Sequence, residues 1–300
     1  MLGVTILGNN SALPAFDRHP TAQLVTLDDH LFLVDCGEGT QMQLTKYKIR
    51  WGRFNHIFIS HLHGDHYFGL PGFLNSMGLL NREHDLHLYA PEPLKDILDL
   101  QFKAAGTVLP YQLHFHSLNE EGELLKTDRV RVTCFSTKHR ICCFGFRFEQ
   151  VKAARRVNPE KAIAHGVPSS FYDHLKLGED YTSKDGKLIK NEWVTEATPR
   201  PKSYAYSADT IYDEELVEKV KGVDILYHET TYLKELEERA AARFHATTVQ
   251  AATIAKKAEV GRLLIGHFSS KYDRLEIFEE EAREIFPNTD LALEGVTYRI

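Results

Sequence analysis

Apolar positions along the chain fall into short runs that end on turn residues. VTILGN, AQLVTL and HLFLVDCG read as strands rich in Val, Leu and Ile. EGTQMQLTKYKI reads as a short helix. NHIFIS is an apolar strand that runs straight into His61. LHLYA is the next strand, and PEPLKDILDLQFKAAG is a helix with Pro in its first turn and Gly106 as its stop. An all-β stretch follows in YQLHFHSL, RVRVTCFST and CCFGFRFEQ. After residue 203 strand–helix alternation returns: SYAYSADT and VDILYHETT are strand-to-loop units, and YLKELEERAAARF is a charged helix. In HATTVQAATIAKKAEVG, Thr247 stands as N-cap with Gln250 three residues on, a capping box, and Gly261 is expected to close the helix. RLLIGHFSS is a buried strand ending at His267, and DRLEIFEEEAREIF is the last helix before short C-terminal strands.

Residues 151–202 break this pattern with Gly, Pro and scattered charge but no sustained period. A featureless loop of that length does not suit a compact domain. The segment therefore reads as an insertion, a protruding arm or small subdomain, interrupting one α/β domain built from residues 1–150 and 203–300.

Composition changes this picture little. The 300 residues leave room for a large core, and 43% hydrophobic and 26% charged residues are ordinary for a globular protein. No apolar run approaches the length of a membrane span. MLGVTILGNNSALP has no basic leader region and begins as a strand, so no secretory signal is expected. Cys36, Cys134, Cys142 and Cys143 form no CxxC pair and read as thiols in a reducing cytoplasm. The net charge of −6 argues mildly against nucleic acid, because phosphate binding needs concentrated Lys and Arg. Its distribution softens that argument: residues 151–202 hold ten Lys/Arg against seven Asp/Glu, a net of +3, leaving −9 elsewhere.

Candidate chemistry recurs where strands end. HIFIS leads to His61, VTCFSTK to His139, SYAYSA to Asp209 and LLIG to His267. Strand ends are rigid and exposed, so several along one sheet edge can aim ligands at one point. HLHGDH is the densest case. His61 and His63 alternate by two, and Asp65 and His66 follow on the bend that Gly64 permits. Such a loop can feed two metals. Imidazole and carboxylate are the donors of zinc, and are acceptable for manganese or iron.

The run HxHxDH resembles the motif of the metallo-β-lactamase fold. SHLHGDHYFGLPGFL, with VDCGEGTQMQL before it and KHRICCFGFRF, YSADT, LYHETTY, FHATTVQAATIAKKA and LLIGHFSSKY after it, resembles the ribonuclease Z family along nearly the whole chain. The resemblance implies an αββα sandwich, two mixed sheets face to face with helices outside, and an inserted flexible exosite arm. It implies zinc-dependent endonucleolytic removal of the 3′ trailer from precursor tRNA, leaving a 3′-hydroxyl, by a cytoplasmic homodimer with no membrane association. His61, His63 and His139 would hold one zinc, Asp65, His66 and His267 a second, and Asp209 would bridge the two. Asp65 would also accept the proton of the attacking water. His245 would donate one to the leaving 3′ oxygen, and Glu229 would orient His245. The place of His245 just ahead of a helix N-terminus is expected to lower its pKa. The plain alternative for His228, Glu229 and His245 is loop groups satisfying backbone bonds.

The family's insertion is a clamp on the tRNA elbow, tipped by a Gly-Pro pair after a G-x-P run. Here Gly166-Val167-Pro168 is followed by Ser169-Ser170-Phe171-Tyr172 instead. The family's P-x-K/R-R-N loop helps seat the tRNA 3′ end. Here LPAFDRHPTA keeps Pro14 and Arg18 without the paired basic residues or the Asn. Histidines 19, 30, 56, 84, 87, 114, 116, 165 and 174 read as structural or solvated, with no matched partner for 84, 87, 114 and 116. Two other functions compete: a hydrolase of the same fold acting on small phosphodiesters, sulfate esters, thioesters or lactams, and a non-catalytic tRNA-binding or scaffold protein, whose mark would be missing ligands.

Overall fold

The structure, a computed structural model, describes residues 1–151 and 153–300; Lys152, one of the arm's basic residues, lies outside them. The chain divides into two compact units. One joins Met1–Lys126, Val130–Glu149 and Lys202–Ile300; the other joins Thr127–Arg129 and Gln150–Pro201.

The larger unit is a sandwich of two seven-stranded sheets. The first runs in the order Thr297–Arg299, Leu2–Gly8, Ala22–Leu27, His30–Val34, His56–Phe58, Leu86–Ala90, Leu113–Ser117. Pairing is antiparallel as far as His30–Val34 and parallel from there on. The second runs Thr289–Leu291, Arg262–Gly266, Ile225–Glu229, Ser203–Tyr206, Phe144–Gln150, Val130–Ser136, Gly122–Lys126, with its first four strands parallel. Side chains alternate across each strand, so each sheet buries both faces. Val4, Phe32 and Phe58 of the first sheet meet Phe146, Tyr204 and Tyr227 of the second in a central core. Leu33 and Leu88 face Phe73, Met77 and Leu94 of covering helices, and Leu226 and Ile265 face Ala255 and Phe278 on the far side. Those three cores define the four layers αββα. Among the described residues, no helix is long and apolar enough to cross a membrane.

Two elements have weak sequence signals. The helix Leu70–Leu79 has Pro71 in its first turn but contains Gly72 and Gly78, which lower its intrinsic propensity. Burial of Leu70, Phe73, Leu74 and Met77 at helical spacing holds it instead. Gly69, just before it, donates its amide to the Cys36 carbonyl at 2.9 Å, and a Cβ there would stand 2.2 Å from the Gly37 oxygen. That close approach locks the loop carrying HLHGDH against the DCGEG turn. The edge strand Gly122–Lys126 is short, half-exposed and bulged, with no clean alternation to mark it.

The capping box of Thr247 and Gln250 forms as expected, opening the helix Thr248–Lys257. Gly261 does not close that helix, which ends at Lys257; Glu259 takes the left-handed conformation (φ 52°) instead. Gly261 is there for close packing, since a Cβ would meet the Asp224 carbonyl oxygen at 2.7 Å.

Several histidines read from sequence as structural, solvated or unmatched form one ladder on the inter-sheet side of the first sheet. His56, His87 and His114 are register partners on adjacent strands. Their rings stack at 5.0 and 4.8 Å, and His87 Nδ1 lies 2.9 Å from His116 Nε2. Burial, followed by His87, His30 and His116, lowers the His56 pKa to about 4. An unfolded chain binds that proton near pH 6.5, so between about 6.5 and 4 the unfolded form holds more protons. Stability from this site is complete above that window and is lost as pH falls through it. The pH dependence of thermal unfolding should therefore flatten in His56→Phe over that range; an unchanged profile would remove His56 as the cause.

The smaller unit has its own core of Ala162, Val167, Leu175, Ile189 and Val194, with Phe171 and Tyr181 packed on it. Two short antiparallel pairs, Arg156–Val157 with Thr195–Glu196 and Tyr181–Thr182 with Leu188–Ile189, frame three short helices. Its lysines Lys176 and Lys190 pair with Asp173 and Asp180 at 2.7 and 3.0 Å.

Candidate metal centre

The strand ends deliver all seven expected ligands to one place. His61 follows His56–Phe58; His139 follows Val130–Ser136; Asp209 follows Ser203–Tyr206; His267 follows Arg262–Gly266 directly. Ala208 (φ 55°) and His267 (φ 61°) turn left-handed there, re-aiming the chain as the strands end.

Two donor groups result: His61, His63, His139 and Asp209, and beside them Asp65, His66 and His267. His61 Nε2 and His139 Nε2 each lie 3.1 Å from His63 Nδ1. Nitrogens sharing one tetrahedral zinc stand about 3.3 Å apart, given bonds of about 2.0–2.1 Å. In the second group, Asp65 Oδ2 lies 3.3 Å from His267 Nε2 and 3.6 Å from His66 Nε2. Asp209 faces both: Oδ2 lies 3.6 Å from His61 Nε2, while Oδ1 lies 3.5 and 3.4 Å from His66 and His267 Nε2.

Two further observations show that the donor set fits a divalent metal. His66 Nε2 and Asp209 Oδ1 are buried without a hydrogen-bond partner, a costly arrangement unless a cation sits between such donors. The centre also asks for positive charge. Burial opposes a charge on His66, yet Asp209, Asp65 and Asp35 raise its pKa well above the ordinary value. A bound cation meets the same demand.

Outer partners fix each ring. His66 Nδ1 donates to Asp35 Oδ2 at 2.7 Å, and His139 Nδ1 to the Phe244 carbonyl at 2.9 Å. Thr231 Oγ1 accepts from His267 Nδ1 at 2.8 Å and donates to Glu229 at 2.7 Å. Ser60 Oγ accepts from His61 Nδ1 at 3.0 Å and donates to Asp35 at 2.9 Å. Tyr206 also donates to Asp35, at 2.6 Å. With Nδ1 engaged, these rings present Nε2 lone pairs inward; His63 alone turns Nδ1 in. Asp35, Ser60 and Thr231 were not among the expected site residues. Asp35 had a legible signal: HLFLVD is another strand ending in a metal-type side chain.

Glu229 is fully buried at the end of Ile225–Glu229. It accepts from Thr210 N at 3.1 Å and Thr231 N at 3.1 Å, and His245 Nδ1 donates to it at 2.9 Å. The expected lowering of the His245 pKa is overturned. Burial does lower it, but Glu229, with Asp209 and Asp65 behind it, raises it to about 9. The helix begins only at Thr248, and its N-terminus is already capped by Thr247. His245 also lies within donor distance of Asp209 and His267. Its Nδ1 is committed to Glu229, and the residue lines the cavity over the centre. His228 is not in the site: it is buried, with Nδ1 on the Glu229 carbonyl.

A cavity of about 320 Å³ opens over this centre, lined by His63, Asp65, His245 and His267 with Arg140 and Arg243. A larger one, about 650 Å³, lies within the smaller unit and has no histidine in its lining. Arg18 of LPAFDRHP, which was expected to keep part of a basic loop, is spent internally. It is buried, and it donates to Asn10 Oδ1 at 3.0 Å and to the Tyr272 carbonyl at 2.6 Å.

Comparison with known proteins adds relatives to this geometry. Residues 2–152 match the family model described as anti-Pycsar protein Apyc1. A ribonuclease Z of Bacteroides thetaiotaomicron is 41% identical over 297 residues, covering 98% of this chain and 94% of its own. A ribonuclease Z of Porphyromonas gingivalis is 41% identical over 293 residues, covering 97% and 96%. Among solved structures, the short form of human tRNase Z superposes with a TM-score of 0.71 at 24% identity, covering 99% of each chain. The metallo-beta-lactamase fold protein YhfI of Bacillus subtilis gives 0.70 at 19%, covering 99% and 98%.

Proposed function

The chain belongs to the ribonuclease Z family, and its residues 2–152 to the anti-Pycsar protein Apyc1 family as well; from that premise we propose that it cuts the 3′ trailer from precursor tRNA. One observation carries the reading: two donor groups with Asp209 between them stand beside the His245–Glu229 pair, in a chain that matches ribonuclease Z almost end to end. The Apyc1 match stops at residue 152, before Asp209, Glu229, His245 and His267, so it does not reach the proton-donor pair.

His61, His63 and His139 would hold one zinc, Asp65, His66 and His267 the other, with Asp209 shared; manganese and iron suit the same donors. When bound, such a pair lowers the pKa of water and offsets charge on the phosphate. The chain's own groups do the rest. Asp65 accepts the proton of the attacking water. Water oxygen bonds to phosphorus as the bond to the tRNA 3′ oxygen breaks. His245, held protonated by Glu229, gives its proton to that oxygen, so the tRNA ends in a 3′-hydroxyl and the trailer carries the phosphate. Burial of Glu229 keeps its carboxylate fixed on His245.

The 151–202 insertion is proposed as the tRNA-gripping arm, and the working form as a cytoplasmic homodimer in which each arm serves the partner's site. These points rest on the family. The test is incubation with a trailer-bearing precursor tRNA and mapping of the cut. A single cut beyond the discriminator leaving a 3′-hydroxyl is expected; no cut with metal-loaded protein sinks the reading. Deleting 151–200 should cost far more on that precursor than on bis(p-nitrophenyl) phosphate, and equal losses would remove the arm's role.

A further inference from the structure

Arg140 and Arg243 line the cavity over the metal centre together with His63, Asp65, His245 and His267. Neither guanidinium forms a hydrogen bond or ion pair with any described residue. Three other arginines of the larger unit show the paired alternative: Arg147 with Glu149, Arg262 with Asp290, Arg283 with Glu279. Carboxylates within the centre do not pair with the two. Glu229 is filled by His245, Thr210 and Thr231, and Asp65 and Asp209 face the histidines.

Their placement is not left to loose side-chain search. Arg140 directly follows His139. Arg243 ends the helix Glu237–Arg243 and directly precedes Phe244, whose left-handed backbone (φ 59°) is followed by His245. The hydrogen bond from His139 Nδ1 to the Phe244 carbonyl, 2.9 Å, joins the two segments. Each arginine is therefore one residue from one partner of a bond that also orients a metal-site ring. Meanwhile the LPAFDRHP loop offers no free cation, because Arg18 is consumed inside the fold.

We infer that Arg140 and Arg243 form a phosphate clamp at the entrance of the metal site, holding backbone phosphates that flank the bond to be cut. The inference rests on the proposed reaction and supplies the cations that the N-terminal loop lacks. A polynucleotide carries charge on both sides of the scissile phosphate, and the planar guanidinium fork matches phosphate oxygens two at a time. A small diester has no flanking phosphates to grip.

The test compares Arg140→Ala, Arg243→Ala and the double variant on trailer-bearing precursor tRNA and on bis(p-nitrophenyl) phosphate, with metal content measured. Each single change should lower kcat/KM on the precursor by about 10–100-fold, mainly through KM. Each should also reduce the slope of log affinity against log salt by about one. The loss on the small diester should be at least about tenfold smaller, and lysine at either position should recover part of the precursor activity. An unchanged salt slope, or equal losses on both substrates with metal retained, overturns the clamp. If unaltered protein does not cut the precursor, the proposed function fails and the clamp with it; if it cuts and the variants match it, only the clamp fails.

Discussion

Asp209→Ala should lower trailer cleavage by about 10³-fold or more and strip metal from at least one position. Asp209 faces both donor groups, with Oδ2 toward His61 and His139 and Oδ1 toward His66 and His267. Without it the first group keeps only three neutral imidazoles, and the second loses one of its two carboxylates. Charge matters here as much as ligand count. Around His66, the Asp209, Asp65 and Asp35 carboxylates create the demand for a cation, and removing one weakens it. Metal analysis of the unaltered protein should find about two divalent ions per chain, and the variant one or none. A variant that keeps full metal and normal cleavage would mean that Asp209 bridges nothing.

His245→Ala is expected to lower precursor cleavage by about 10²–10⁴-fold while leaving the metal content intact. The leaving 3′ oxygen of a ribose is a poor leaving group and needs a proton. A p-nitrophenolate does not. The same variant should therefore lose much less on bis(p-nitrophenyl) phosphate, which separates proton donation from damage to the metal centre. Glu229→Gln should reproduce part of the loss, because Glu229 accepts from His245 Nδ1 at 2.9 Å and keeps the ring charged. If metal falls together with rate in His245→Ala, then His245 belongs with Asp209 and His267 as a ligand.

Much of the site was legible because its chemistry is local. HLHGDH packs four candidate donors into six residues, and a strand run before His139, Asp209 and His267 marks the other three. Legibility failed where partners are distant in sequence. Asp35 reaches His66 across 31 positions, and the Phe244 carbonyl reaches His139 across 105. The His245 pKa was misjudged for the same reason. A nearby helix N-terminus is visible in sequence, whereas the buried Glu229 that outweighs it is brought close by the fold. The histidine ladder was missed likewise, since strand register alone stacks His56, His87 and His114.

The sequence by itself determined the main element pattern and the family, and through the family's motifs the candidate donors, because periodicity, short motifs and ordered spacing are properties of neighbouring residues. Only the tertiary structure decided that Asp35 fixes the His66 ring, that Arg18 is spent inside the fold, and that Arg140 and Arg243 stand unpaired over the metal centre. Those facts depend on which strand ends meet and which side chains are buried together. Both are set by sheet register and core packing between segments that lie far apart along the chain.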